Sequence, residues 1–168
     1  MSVDGASLGE QLLEAARRNN VELLEAVVRD AGPEIEDLIN GSRDPLGNTC
    51  LHLCCTHGSW EALDMILDLD CAIEVDPQNT AGDTPLHAAA RYAAEEPEHA
   101  TFLASNLVQV GADPRVRNKA GLRPVELVHG SELEPLVDVL QGGELAYDTH
   151  GEAVNADEIE EIDDEPSD

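Results

Sequence analysis

The fold class this sequence predicts is an all-α repeat, a solenoid of about four short helix–turn–helix units stacked side by side. Three observations lead there. The pattern Gly-x-Thr-x-Leu-His stands at Gly47–His52 and again at Gly82–His87, and its glycine returns at Gly121 with a proline at Pro124. The three glycines are 35 and 39 residues apart, within the range of periods that marks stacked units. Aromatic residues make up only 2% of the chain. Alanine, leucine and valine must therefore fill the core, which suits short helices in close contact better than a sandwich or a barrel.

Each residue of the motif has a physical reason. Gly82 supplies a turn conformation that a β-carbon resists. Thr84 offers its hydroxyl to an unpaired amide at a helix start, and Pro85 takes the first helical position, where a missing N–H costs nothing. Leu86 opens an apolar face, and Ala88–Ala90 let a second helix approach closely. In chain order, Leu12–Val28 reads as two short helices parted by Asn19-Asn20. Gly32–Arg43 is a long connection whose Pro33–Ile39 portion makes one extra helical turn. The second unit runs from Gly47, with Cys50 in the proline position, into a helix over Ser59–Leu67 and a long loop over Glu74–Asn79. In the third, Arg91–His99 holds an insertion of about six residues between the paired helices, and the second helix spans Ala100–Val110, closed by Gly111. The fourth starts at Gly121, carries Glu126 where the others have histidine, and ends in a short helix over Leu133–Leu140 with Leu133, Leu136, Val137 and Leu140 on one face.

The run Gly82-Asp-Thr-Pro-Leu-His-Ala-Ala-Ala90 resembles the hallmark of the ankyrin repeat, and Gly47–Cys55 and Gly111-Ala112-Asp113 register with the same family pattern. The resemblance implies β-turn fingers joined to paired antiparallel helices. It covers residues 8–141, divided near 8–42, 43–78, 79–117 and 118–141. The first unit lacks Thr-Pro-Leu-His and the last is more polar, as terminal caps are. The layout is also similar to small cytosolic ankyrin proteins with an acidic C-terminal tail, among them ones that escort ribosomal proteins, and to small fungal ankyrin proteins.

Charge bounds the function. The chain holds 36 acidic and nine basic residues, a net charge of −27. Nucleic acid and anionic lipid surfaces would be repelled, so neither is an expected partner, whereas a basic protein is. Residues 142–168 hold eleven acids and no lysine or arginine and are expected to form a disordered acidic tail. That tail could engage a basic client, fold back on an arginine-bearing groove, or only solubilise. Met1–Leu13 lacks a basic segment followed by an apolar core, and no run reaches the ~20 apolar residues that span a bilayer. A cytoplasmic or nuclear monomer with reduced thiols is expected.

No phosphate-binding loop, nucleophile elbow or His-Glu-x-x-His occurs, so a non-catalytic protein without a cofactor is expected. Cys50, His52, Cys54, Cys55 and His57 crowd into eight residues, which invites a metal or redox reading. Yet Cys54 and Cys55 fall on the small-residue positions of the motif, and no second cysteine pair completes a four-ligand site; no metal site is expected. Cys71 reads as a packing residue too, and Trp60 as one packed on a neighbouring repeat. The resemblance places partner contacts at finger tips and at the exposed ends of first helices. On that basis the partner-binding residues expected are Arg17, Arg18, Arg43, Leu46, His57, Arg91, Tyr92, Lys119 and Leu122, in a concave groove less negative than the rest. An adaptor or a dedicated chaperone for a basic or partly folded client fits these features. A scaffold or inhibitor docking a folded enzyme through the same face is the alternative.

Overall fold

The computed structural model describes residues 7–156. Helices α1 (Leu8–Arg18) and α2 (Val21–Ala31) form the first pair, followed by a 3-10 turn at Gly32–Glu34 and α3 (Ile35–Gly41). Helices α4 (Cys50–His57) and α5 (Trp60–Leu67) form the second pair, α6 (Pro85–Tyr92) and α7 (Pro97–Gln109) the third, and α8 (Glu134–Ala156) closes the array. The first helices α1, α4 and α6 stack in order, and α6 then meets a 3-10 turn at Pro124–Leu127. The second helices form an outer layer in which α8 packs on α7. One core runs the length of the stack. Leu12, Leu24, Leu51, Leu63, Ile66, Leu86, Leu103, Leu107, Leu136 and Leu140 are all fully buried.

Local sequence explains the breaks. Asn19 adopts the left-handed conformation (φ 54°), while the Asn20 side chain accepts the Leu23 N–H to start α2. Asn19 also ties the first two units together, accepting from the Ala62 N–H and donating to the Glu61 carboxylate. Cys50, Cys54 and Cys55 are wholly buried, with thiol pKa values raised by burial and that of Cys50 pushed up to about 12. They serve as small apolar side chains.

Three expectations are corrected. Helix α7 begins at Pro97 rather than Ala100, so the last three residues of the insertion extend that helix while residues 93–96 form a turn. Its His99 Nε2 reaches the Gly58 carbonyl at 2.8 Å, anchoring the extra turn on the preceding repeat. The first helix of the fourth unit contracts to the single 3-10 turn at Pro124–Leu127. The third correction is the largest. Residues 142–156 are not a disordered tail but continue α8, across the expected boundary at Gln141. Long-range contacts hold residues 144–148. Glu144 pairs with Arg123 at 2.8 Å, Asp148 with Arg115 at 3.1 Å, and the Tyr147 hydroxyl donates to the Gly111 carbonyl. Arg115 also lies over the Tyr147 ring, 4.9 Å from its centroid. The remaining tail, residues 157–168, lies outside the described residues.

Candidate functional site

The fingers are built by one repeated device. Asp44 Oδ1 accepts the N–H groups of Leu46 and Asn48, Asn79 Oδ1 those of Ala81 and Asp83, and Asn118 Oδ1 those of Ala120 and Leu122. Each is a side chain folded onto the amides two and four residues ahead, which sets the turn. Successive fingers then bond to one another: the Thr80 N–H donates to the Leu46 carbonyl and the Lys119 N–H to the Ala81 carbonyl. A β-carbon on Gly82 would lie 2.6 Å from the Lys119 nitrogen, and one on Gly47 would lie 2.9 Å from that of Thr80. These glycines are required by close approach of the next finger as well as by their positive φ.

Behind the fingers the motif histidines lock each unit to the next. His52 Nδ1 accepts the Thr49 N–H at 3.0 Å, which leaves the proton on Nε2 to donate to the Asp83 carbonyl at 2.7 Å. His87 repeats this with Thr84 and the Leu122 carbonyl. Burial holds both imidazoles below the usual histidine pKa, so they remain neutral at pH 7.

Between fingers and first helices lies an open groove of about 330 Å³. Asn48, Asn79 and Asp83 form its finger side; Thr56 of α4, Ala88, Arg91 and Tyr92 of α6, and Glu95 form the helix side. Arg91 Nε donates to Asp83 Oδ2 at 3.0 Å, so the groove's guanidinium is paired within it. Tyr92 packs its ring edge-on to His99, centroids 5.9 Å apart, and its hydroxyl occupies the space a side chain at Gly58 would need.

The predicted contact residues fall into distinct settings. Arg91 and Tyr92 meet in the groove. Leu46 projects from a finger tip, 65% exposed, and Lys119 is exposed on the last finger. His57 is exposed at the end of α4. Arg17 and Arg18 converge on Glu14 at the end of α1. Arg43 is instead a staple, its guanidinium donating to the carbonyls of Gly47 and Gln78. Leu122 is half-buried and gives its carbonyl to His87. Sequence reasoning missed Asn79, Ala88 and Glu95 as groove residues. It also missed the staples: Gln78 and Arg117 donate to the carbonyls of Gly82 and Gly121 as Arg43 does to Gly47. The signal was present, since 43, 78 and 117 each precede the finger's Asp or Asn by one residue. Trp60 packs edge-on against Phe102 of the next repeat at 4.4 Å.

Charge is divided between the two layers. Fingers and first helices (residues 7–20, 42–58, 77–96 and 110–129) carry eight acids and eight bases. The outer layer (residues 21–41, 59–76, 97–109 and 130–148) carries eighteen acids and one base, Arg29. The groove thus belongs to an electrically balanced surface backed by an acidic one. Among the described residues, no helix is long and apolar enough to cross a membrane, and no group of His, Cys, Asp and Glu is arranged to hold a metal ion.

Comparison with known proteins agrees with this architecture. A family model for ankyrin repeats, in three copies, matches residues 12–118. An ankyrin repeat-containing protein of Saccharomyces cerevisiae is 62% identical over 173 aligned residues, covering 100% of this chain and 96% of its own length. Oxysterol-binding protein-related protein 1 of Rattus norvegicus is 32% identical over 69% of this chain but only 10% of its own length. Human ankyrin repeat and SOCS box protein 9 is 38% identical over 48% of this chain and 24% of its own length.

Proposed function

Since the chain belongs to the ankyrin-repeat family, a family of protein–protein interaction modules, we propose that it is a non-catalytic adaptor or dedicated chaperone for a basic or partly folded client. The client seats in the concave groove, with its basic surroundings facing the acidic remainder of the molecule. The observation that carries this reading is the division of charge. A groove on a balanced layer does not repel a cation, while the eighteen outer-layer acids steer one toward the molecule. Arg17, Arg18, Leu46, His57, Arg91, Tyr92 and Lys119 are the contact residues we propose, together with Thr56, Ala88 and Glu95. Arg43 and Leu122 are left out, because the guanidinium of the first is committed to two finger carbonyls and the second is half-buried with its carbonyl bound to His87.

The test is recovery of clients on immobilised protein at low and high salt. Three forms are compared: the full chain, a chain ending at Ala156, and the full chain carrying Thr56→Arg, a substitution at an exposed groove position. A client lost with Thr56→Arg and also weakened by salt and by tail removal supports the chaperone reading. The pairing of Arg91 with Asp83 leaves little net charge in the groove, which favours a second reading, docking of a folded enzyme. A client lost with Thr56→Arg but indifferent to salt and tail identifies that role. A client that ignores Thr56→Arg removes the groove from both.

A further inference from the structure

A second groove opens on the opposite side, between α2 and α5, with a volume of about 450 Å³. Val21, Met65 and Leu69 supply half-buried apolar surface, and Glu61, Asp64 and Asp68 supply exposed carboxylates. Glu61 and Asp64 stand on α5 and Asp68 at its C-cap, spaced i, i+3 and i+7, so they form one row about 10 Å long. Glu61 is fixed by the Asn19 amide at 2.7 Å, a bond that favours its ionised form. No lysine or arginine occurs from Asp44 to Ala90. None of the groove's residues takes part in the finger or histidine network.

We propose that this outer groove is a docking site for a basic amphipathic helix of a partner protein. Its apolar stripe would cover Val21, Met65 and Leu69 while its lysines or arginines, at matching three- and four-residue spacing, meet Glu61, Asp64 and Asp68. Charge complementarity selects that occupant. An apolar helix would strip water from three carboxylates without replacing it, and an acidic helix would be repelled. A second copy of this chain, at −27, is disfavoured on the same ground. The site goes beyond the concave-face reading and does not depend on it.

Met65 provides a direct probe, because the chain has only two methionines and the other is Met1. Full-length protein labelled at its methionine methyl groups is titrated with a synthetic leucine–lysine peptide of helical periodicity, about four turns long. The Met65 methyl resonance should shift saturably, and the same peptide scrambled to break its periodicity should not move it. Asp64→Lys with Asp68→Lys should weaken binding about tenfold, whereas Glu134→Lys with Asp138→Lys, an equal charge change on α8, should weaken it less than about twofold. Lysine near a helix C-terminus is compatible with the helix dipole, so the first pair should fold. Met65→Gln tests the apolar floor with every charge retained and should weaken the peptide severalfold. Equal weakening by both charge pairs would reduce the effect to diffuse attraction and overturn the site. So would an unmoved Met65 resonance at saturation, or a Met65 shift that follows protein concentration alone, which would mark self-association. The Thr56→Arg variant should bind the peptide like the parent chain, which separates this site from the concave groove.

Discussion

Glu126 shows how one residue adapts the repeat to its end. Its carboxylate accepts the Arg123 N–H at 2.7 Å, the task His52 and His87 perform for Thr49 and Thr84. Among the described residues no further finger follows, so no second carbonyl there needs a donor, and an acceptor-only side chain suffices. It faces Arg117 and Arg123 instead, at 3.6 and 3.7 Å. Asp76 is the opposite case, a carboxylate under stress. Its oxygens accept the Asp113 N–H, but burial, with Asp113 and Glu74 nearby, pushes its pKa up to about 6. A raised folded-state pKa means that the native state gains stability as pH falls through about 6 and loses it above. Asp76→Asn keeps an acceptor for that N–H and removes the charge. Urea midpoints should therefore exceed those of the parent at pH 8, with the difference shrinking toward pH 4. His52 and His87 act in the other direction. Their pKa values are lowered by burial, so the stability they contribute is complete above the usual histidine pKa and fades as pH drops through it.

At the scale of the element, the fingers and α8 divide what the sequence reveals from what it hides. Finger and first-helix chemistry was legible because glycine, threonine, proline and histidine meet local needs within a few residues. What stayed hidden was the contact each unit makes with the next. Gly82 was read as a turn residue, yet Lys119 also excludes a side chain there, while nothing lies within 4 Å of a β-carbon at Gly121. Gly82→Ala should accordingly unfold the protein at clearly lower urea than Gly121→Ala, which bears only the conformational penalty of about 1–2 kcal/mol. The role of Arg43 as a staple stayed hidden for a related reason: an arginine bonded to two carbonyls looks the same in sequence as one awaiting a partner. The α8 extension was illegible because Gly142-Gly143 signals a helix end, and the residues that override it are Arg115 and Arg123 of an earlier segment. Gly143 itself fits closely, since its β-carbon would meet Pro114 at 2.8 Å and Val108 at 3.2 Å, whereas Gly142 is unobstructed. Gly142→Ala should raise the thermal midpoint by the helix-propensity gain of up to about 1 kcal/mol. Gly143→Ala should lower it.

For the molecule as a whole, the end of the folded unit is the property most changed by the structure. Ending the chain at Gln141 would remove Asp148 and Glu144, the α8 partners of Arg115 and Arg123, and uncover Val108 and Pro114. Equilibrium unfolding should register a loss of about 1–3 kcal/mol, whereas ending it at Ala156 should leave stability close to that of the parent. The concave site was legible in part for the same reason as the fold. Arg91 and Tyr92 follow directly from the motif, but Asn79, Ala88 and Glu95 enter the groove only through the stacking of units and the lengthened third repeat.

Among the described residues, the partition of charge between the layers gives an electric moment directed across the stack, from the acidic outer helices toward the fingers. Such a moment turns the protein before anything touches it. On a positively charged support or a large cationic assembly it settles with the outer helices down, and the finger side remains open to solution. A basic client would thus be drawn first to the outer helices and reach the groove with its less basic surface, so that the long-range encounter and the final seat lie on different faces.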